Sequence, residues 1–181
     1  MDKQDIERQV DALLESYGYR PERDTYVDIL NFTKKFGFTV GNAALPDNED
    51  GFILIKPRTN KNADGDSARL IAHSTKLIGV NIKRNLEWKR FVIAHEFAHS
   101  ILHYKSGEIY LHRENAKGRN EEENDADYFA AALLMPRASF KRVYNELEKK
   151  QLNKNTICYQ MAAIYMVPFE SVARRIDEVC I

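Results

Sequence analysis

Residues 90–103 read RFVIAHEFAHSILH. An α-helix turns about 100° per residue, so residues four apart differ by roughly 40° around the axis and lie one turn apart. His95 and His99 therefore share a face and can direct two imidazole nitrogens at one ion. Glu96 lies about 100° round from His95, beside such an ion instead of on it, where a carboxylate can take a proton from an activated water. The chain has 5 His, and chance produces H-E-x-x-H in roughly one such sequence in a hundred. A second constellation is needed.

It lies in EEENDADYFAAALLMP, residues 121–136. Glu123 and Asp127 are four apart and share a helix face. A catalytic zinc takes three protein ligands and keeps a position open. Glu123 is assigned as the third ligand, with His95 and His99. Asp127 is assigned as the acceptor for the outer N–H of a ligating histidine, which fixes the tautomer and raises basicity. Glu121 and Glu122 are alternatives of a plainer kind, because a helix N-terminus favours acids through its dipole. His103, two turns from His95, is about 80° off its direction and about 12 Å along the axis. It is read as a pocket residue and a candidate transition-state donor. His73 and His112 are read as satisfied core or surface residues.

The surrounding pattern is α+β. A stripe of Ile6, Val10, Leu13 and Leu14 gives a helix over 3–17. Pro21 and Asp24 are expected to open a second helix ending near Lys35, with Tyr26, Ile29 and Leu30 inward. FTV and GFILIKP read as strands around a turn at Pro46–Gly51, and 58–67 as a polar surface loop. ARLIAH and KLIGVNI read as two more strands. The motif helix should run from Leu86 to about His103, with Gly107 marking its end. Further helices are expected at 121–135, 137–149 and 156–177, the last interrupted at Met166–Pro168. The fold is thus a small, mainly antiparallel sheet carrying a zincin-like helix and a second metal-ligand helix, flanked by N- and C-terminal helices. Residues 1–136 form the metallopeptidase domain in this reading. Residues 137–181 form a helix-turn-helix-like segment packed on the core.

Composition narrows the partners. Lys plus Arg equals Asp plus Glu at 27 each, so the net formal charge is zero and nothing pulls the whole chain towards nucleic acid. Residues 141–181 hold seven Lys or Arg against five acids, thin for neutralising phosphates. Direct DNA binding is not expected. The N-terminus lacks the apolar run of a signal peptide, no stretch approaches the 18 or so apolar residues of a membrane span, and the two cysteines have no metal-like spacing. A cytoplasmic protein without a membrane partner is expected.

RFVIAHEFAH, preceded by LIGVNI and followed by E-x-x-A-x-x-F-A-x-x-L-L-M-P, resembles the ImmA/IrrE family of metallo-endopeptidases over roughly residues 25–136. Glu123, Ala126, Phe129, Ala130, Leu133, Leu134, Met135 and Pro136 all fall on its second motif. Asp125 stands where many members carry glutamate, and Asp127 where asparagine is frequent. The resemblance implies one catalytic zinc on His95, His99 and Glu123, with Glu96 as general base. It also implies a substrate: a helix-turn-helix repressor of a mobile element or stress response, inactivated by one cut. The oxyanion donor would come from His103, Tyr104, His112 or Arg113, and the charged loop 113–123 would gate the cleft. The rival reading is a metal-containing partner that binds a repressor, a toxin or DNA without cutting. An intact Glu96 argues for the first, since binding has no need of a general base.

Overall fold

The computed structural model describes residues 1–56, 75–105, 109–113 and 120–180. The expected loop at 58–67, the strand at 68–73 with His73, Gly107, and residues 114–119 of the expected gate lie outside them. The described elements are α1 (Lys3–Tyr17), α2 (Ile29–Lys35), β1 (Thr39–Ala43), β2 (Gly51–Lys56), β3 (Thr75–Asn81), α3 (Leu86–Leu102), β4 (Tyr110–Arg113), α4 (Glu121–Leu134), α5 (Arg137–Glu148), α6 (Lys154–Tyr165) and α7 (Phe169–Val179). No helix among these residues is long and apolar enough to cross a membrane.

The sheet runs β1-β3-β2-β4. β2 pairs antiparallel with β3 and β4, while β1 joins β3 in parallel. The expected small, mainly antiparallel sheet is present. β4 was not foreseen: Tyr-Leu-His-Arg is too short for its alternation to stand out.

Several helix ends have a local cause. Asp2 caps α1, accepting from Gln4 N–H, and Gly18 closes it in the left-handed region at φ 96°. The second helix corrects the reading from sequence, for it starts at Ile29 and not near Asp24. Asp24 is spent on a turn, its carboxylate accepting from Arg20 N–H at 2.7 Å. Asp28 caps instead, accepting from Asn31 N–H at 3.2 Å. Starting later turns Tyr26 and Leu30 outward, 43% and 54% exposed, while Ile29 and Phe32 are buried. In the last part of the chain the helix breaks at 166–168, where Met166 is left-handed at φ 51° and Pro168 stands just before α7.

The core is centred on α3. Phe97 packs against Phe32, Phe36 and Phe38 with ring centroids 5.4, 5.5 and 5.6 Å away, and against Phe129 of α4 at 6.3 Å. Two residues from both His95 and His99, it points roughly 200° away from each. Burying Phe97 therefore aims both imidazoles out of the aromatic core and towards α4. Buried polar ties hold the C-terminal helices to the rest. Arg175 is fully buried and makes paired contacts of 2.7 and 3.2 Å with Glu7, which also accepts from Tyr128 Oη at 2.9 Å. Arg90 of α3 donates to the carbonyls of Val27 at 2.9 Å and Met166 at 3.0 Å.

Candidate metal centre

α3 and α4 supply the site from their middle and their first turn respectively. Asn85 caps α3 by accepting from Trp88 N–H at 2.9 Å. Asn120 caps α4 by accepting from Glu123 N–H, also at 2.9 Å, which fixes Glu123 at the third helical position. Glu121 and Glu122 turn to solvent, and Glu123, half-buried, turns to the histidines.

His95 Nε2 lies 3.1 Å from His99 Nε2 and 3.1 Å from Glu123 Oε2, and His99 Nε2 lies 3.7 Å from Glu123 Oε1. Donors at 2.0–2.1 Å on the corners of a tetrahedron stand roughly 3.3–3.4 Å apart. The three separations bracket that edge. Among the described residues, His95, His99 and Glu123 form a group that can hold a metal ion.

The outer atoms of the histidines are also held. Asp127 Oδ1 is 3.0 Å from His95 Nδ1, where the sequence spacing placed it. Arg174 of α7 approaches the other oxygen of Asp127 at 3.9 Å. His103 Nδ1 lies 3.0 Å from His99 Nδ1. That position backs the outer nitrogen of His99, so His103 does not face the side where a carbonyl oxygen would sit.

Glu96 is wholly buried. Its Oε2 is 3.4 Å from His112 Nδ1, and its Oε1 has no hydrogen-bond partner. An unmet buried carboxylate oxygen calls for an explanation, and a water or substrate proton is one. Gly51 of β2 makes this placement possible: a Cβ there would stand 2.5 Å from Val92 Cγ1 and 2.9 Å from Gly79 O. Only a glycine lets α3 lie this close to the sheet.

His112 lies beside these residues, against the core-or-surface reading and in keeping with its place among the four candidate oxyanion donors. Its Nε2 is 2.9 Å from Glu123 Oε1, and its ring stacks on His99 at 3.7 Å between centroids. It reaches the site because β4 pairs with β2, setting His112 opposite Ile53. The alternation of Tyr110 and His112 about the exposed Leu111 was the available signal. Tyr104 packs on Tyr110 at 5.9 Å between centroids. Of Arg113 only the backbone is described.

Electrostatics follow from burial and these contacts. Hydrogen bonds from His112, His95 and His99 hold the Glu123 carboxyl well below the usual range. Burial pushes Glu96 up and His99 down to about 4. At His95 burial also opposes the charged form, but the bonds to Asp127 and Glu123 outweigh it and carry the group up to about 10. His112 behaves likewise, held at about 9 by Glu123 and Glu96 against its burial. The neighbouring carboxylates thus favour positive charge on His95 and His112, while burial opposes it on His99.

A family model described as the IrrE N-terminal-like domain, Peptidase_M78, matches residues 52–177. The chain belongs to this peptidase family. The match takes in α3, α4 and their site, and begins after α1, α2 and β1. Among solved structures the Peptidase_M78 chain resembles a transcriptional regulator from Mycobacterium tuberculosis, with a TM-score of 0.55 at 15% identity. That likeness concerns fold, covering 95% of this chain and 46% of the other, so the chain spans less than half of that protein's length. No protein in a search of the curated proteins matches the chain.

Proposed function

We propose that the chain is a zinc-dependent endopeptidase and that its substrate is a protein, in particular a helix-turn-helix transcriptional repressor. The observation that carries the reading is Glu96: a buried carboxylate with one oxygen free, set beside three converging donors. A site built only to hold a metal has no need of it.

His95, His99 and Glu123 would hold the ion, and their two imidazoles and one carboxylate suit zinc. Zinc would supply Lewis acidity towards water and towards the scissile carbonyl. Glu96 takes the proton of the attacking water on Oε1 and passes it to the leaving amine nitrogen. Its burial favours the protonated form it must adopt in between. Asp127 orients His95, and His103 orients His99. Of the four candidate donors to the developing oxyanion we assign His112, the imidazole within reach of both Glu96 and Glu123.

The repressor as substrate rests on the family resemblance, and the transcriptional regulator found by fold is in keeping with it. Residues 1–136 are taken as the catalytic part and 137–181 as its packed support, at work in the cytoplasm. DNA is not read as the target, because residues 141–181 carry little net positive charge and part of it is paired with carboxylates. Arg175 is buried on Glu7, Arg174 faces Asp127, and Lys154 pairs with Asp177 at 2.9 Å. Co-expression with each helix-turn-helix repressor of the host, read by immunoblot, tests the substrate class. A shortened repressor with the wild type but not with Glu96→Gln is expected. Intact repressors throughout, with another protein cut, would remove the repressor and leave the peptidase.

A further inference from the structure

On the side of α3 away from the metal ligands lies a groove of about 360 Å³, between α2, β1 with Val80 of β3, and the first half of α3. Leu86, Lys89, Arg90 and Ile93 line it at helical spacing, and Ile93 points roughly 200° away from His95. Its apolar rim is open to solvent, with Leu86 56%, Leu30 54% and Tyr26 43% exposed. Its floor is rigid. Arg90 lies against the Tyr26 ring at 4.2 Å and donates to Tyr26 Oη at 2.6 Å as well as to three main-chain carbonyls.

The strand beside the groove says what fits there. Ala43 O accepts from Ile82 N–H at 3.0 Å, and Ala43 is in register with Asn81. In a parallel ladder the residues whose groups face the partner strand alternate, so Thr39, Gly41 and Ala43 face β3. The N–H and C=O groups of Val40 and Asn42 point outward, and among the described residues β1 pairs with β3 alone. β1 reads Thr-Val-Gly-Asn-Ala, without the charge or proline that commonly blunts an edge strand. Val40 and Asn42 also line the groove. An added strand would therefore meet two donors and two acceptors, and would lay alternate side chains, about 6.6–6.8 Å apart, over the apolar rim.

We propose that this groove is a second peptide-binding surface, where an extended, alternately apolar segment of the protein substrate adds to the edge of β1. Its service to a cut at Glu96 rests on the peptidase reading; the strand addition itself does not. The surface holds the substrate remote from the scissile bond, and its walls α2 and β1 lie outside the family match at 52–177. Selectivity can be set there without disturbing the catalytic helices.

The test uses the full chain as Glu96→Gln, so that nothing depends on cleavage. A phage-displayed library of random dodecapeptides is panned against it, and enriched peptides are synthesised and titrated into the 15N-labelled protein. The expected peptides are alternately apolar and slow amide exchange at Val40 and Asn42. Leu30→Glu and Leu86→Glu, both at exposed positions, should weaken binding by at least about tenfold. Asn42→Pro should do so too, since it removes an outward N–H and leaves the ladder to β3 intact. Failure to enrich any peptide, shifts centred on His95 and Glu123, or binding unchanged in the three variants would overturn the proposal. So would a dimer dissolved by Leu30→Glu, which would make a second copy the occupant. A wild type that binds here and cuts nothing would fail the peptidase reading alone.

Discussion

Asp127 Oδ1 stands 3.0 Å from Nδ1 of His95, on the side of the ring opposite Glu123. The imidazole is thus fixed from both nitrogens. Removing the outer partner of a ligating histidine commonly costs 10–100-fold in metal affinity. Asp127→Ala should weaken zinc binding by about that factor, read by competition with a chromogenic chelator. Unchanged affinity would mean that His95 is oriented by packing alone.

Glu123 has the stronger claim as a ligand. Glu123→Ala should lower zinc content after dialysis far more than Glu121→Ala or Glu122→Ala, whose side chains turn to solvent. Equal retention of zinc by all three variants would refute the assignment. Because an ion that binds only the folded chain stabilises it by mass action, chelation should also lower the Tm of the wild type and leave that of Glu123→Ala nearly unmoved.

Phe97 aims the motif helix. Cutting it to alanine empties the centre of four aromatic contacts. A Phe→Ala change in a core costs about 3–5 kcal/mol, and in a chain of this size each kcal/mol moves Tm by about 2–4 °C. Phe97→Leu should keep most of the stability, whereas Phe97→Ala should melt roughly 6–20 °C lower. A small shift would show that neighbouring rings close the gap.

Gly51 is a test of how closely α3 must lie on the sheet. Gly51→Ala sets a Cβ against Val92 and the carbonyl of Gly79, and overpacking of this kind costs about 1–3 kcal/mol. Gly51→Ala should lose stability, and the paired change Gly51→Ala with Val92→Ala should recover part of it. No recovery would place the strain on the Gly79 carbonyl instead.

What the sequence disclosed, and what it hid, divides by range. His95, Glu96, His99, Glu123 and Asp127 are spaced along single helices, where a 3.6-residue period fixes direction without knowledge of the fold. That these five side chains come together could be expected for that reason. His112 joins them through the pairing of β4 with β2, sixteen residues along the chain from Glu96; the alternation of Tyr110 and His112 hints at a strand but does not say which strand it pairs with. The start of α2 turned on a competition between Asp24 and Asp28 for the capping role, decided by the turn that Asp24 closes on Arg20. The same late start exposes Tyr26 and Leu30 and so opens the groove beside β1.

The central claim is that Glu96 cuts a protein. Its most direct test compares the new protein N-termini in host cells expressing the wild-type chain and the Glu96→Gln variant, with zinc confirmed in both. A discrete N-terminus found with the wild type and missing with Glu96→Gln is the expected result, and it would name the substrate and the bond together. The same N-termini in both cells would contradict the claim and leave a zinc-bearing protein that binds its partner without cutting it.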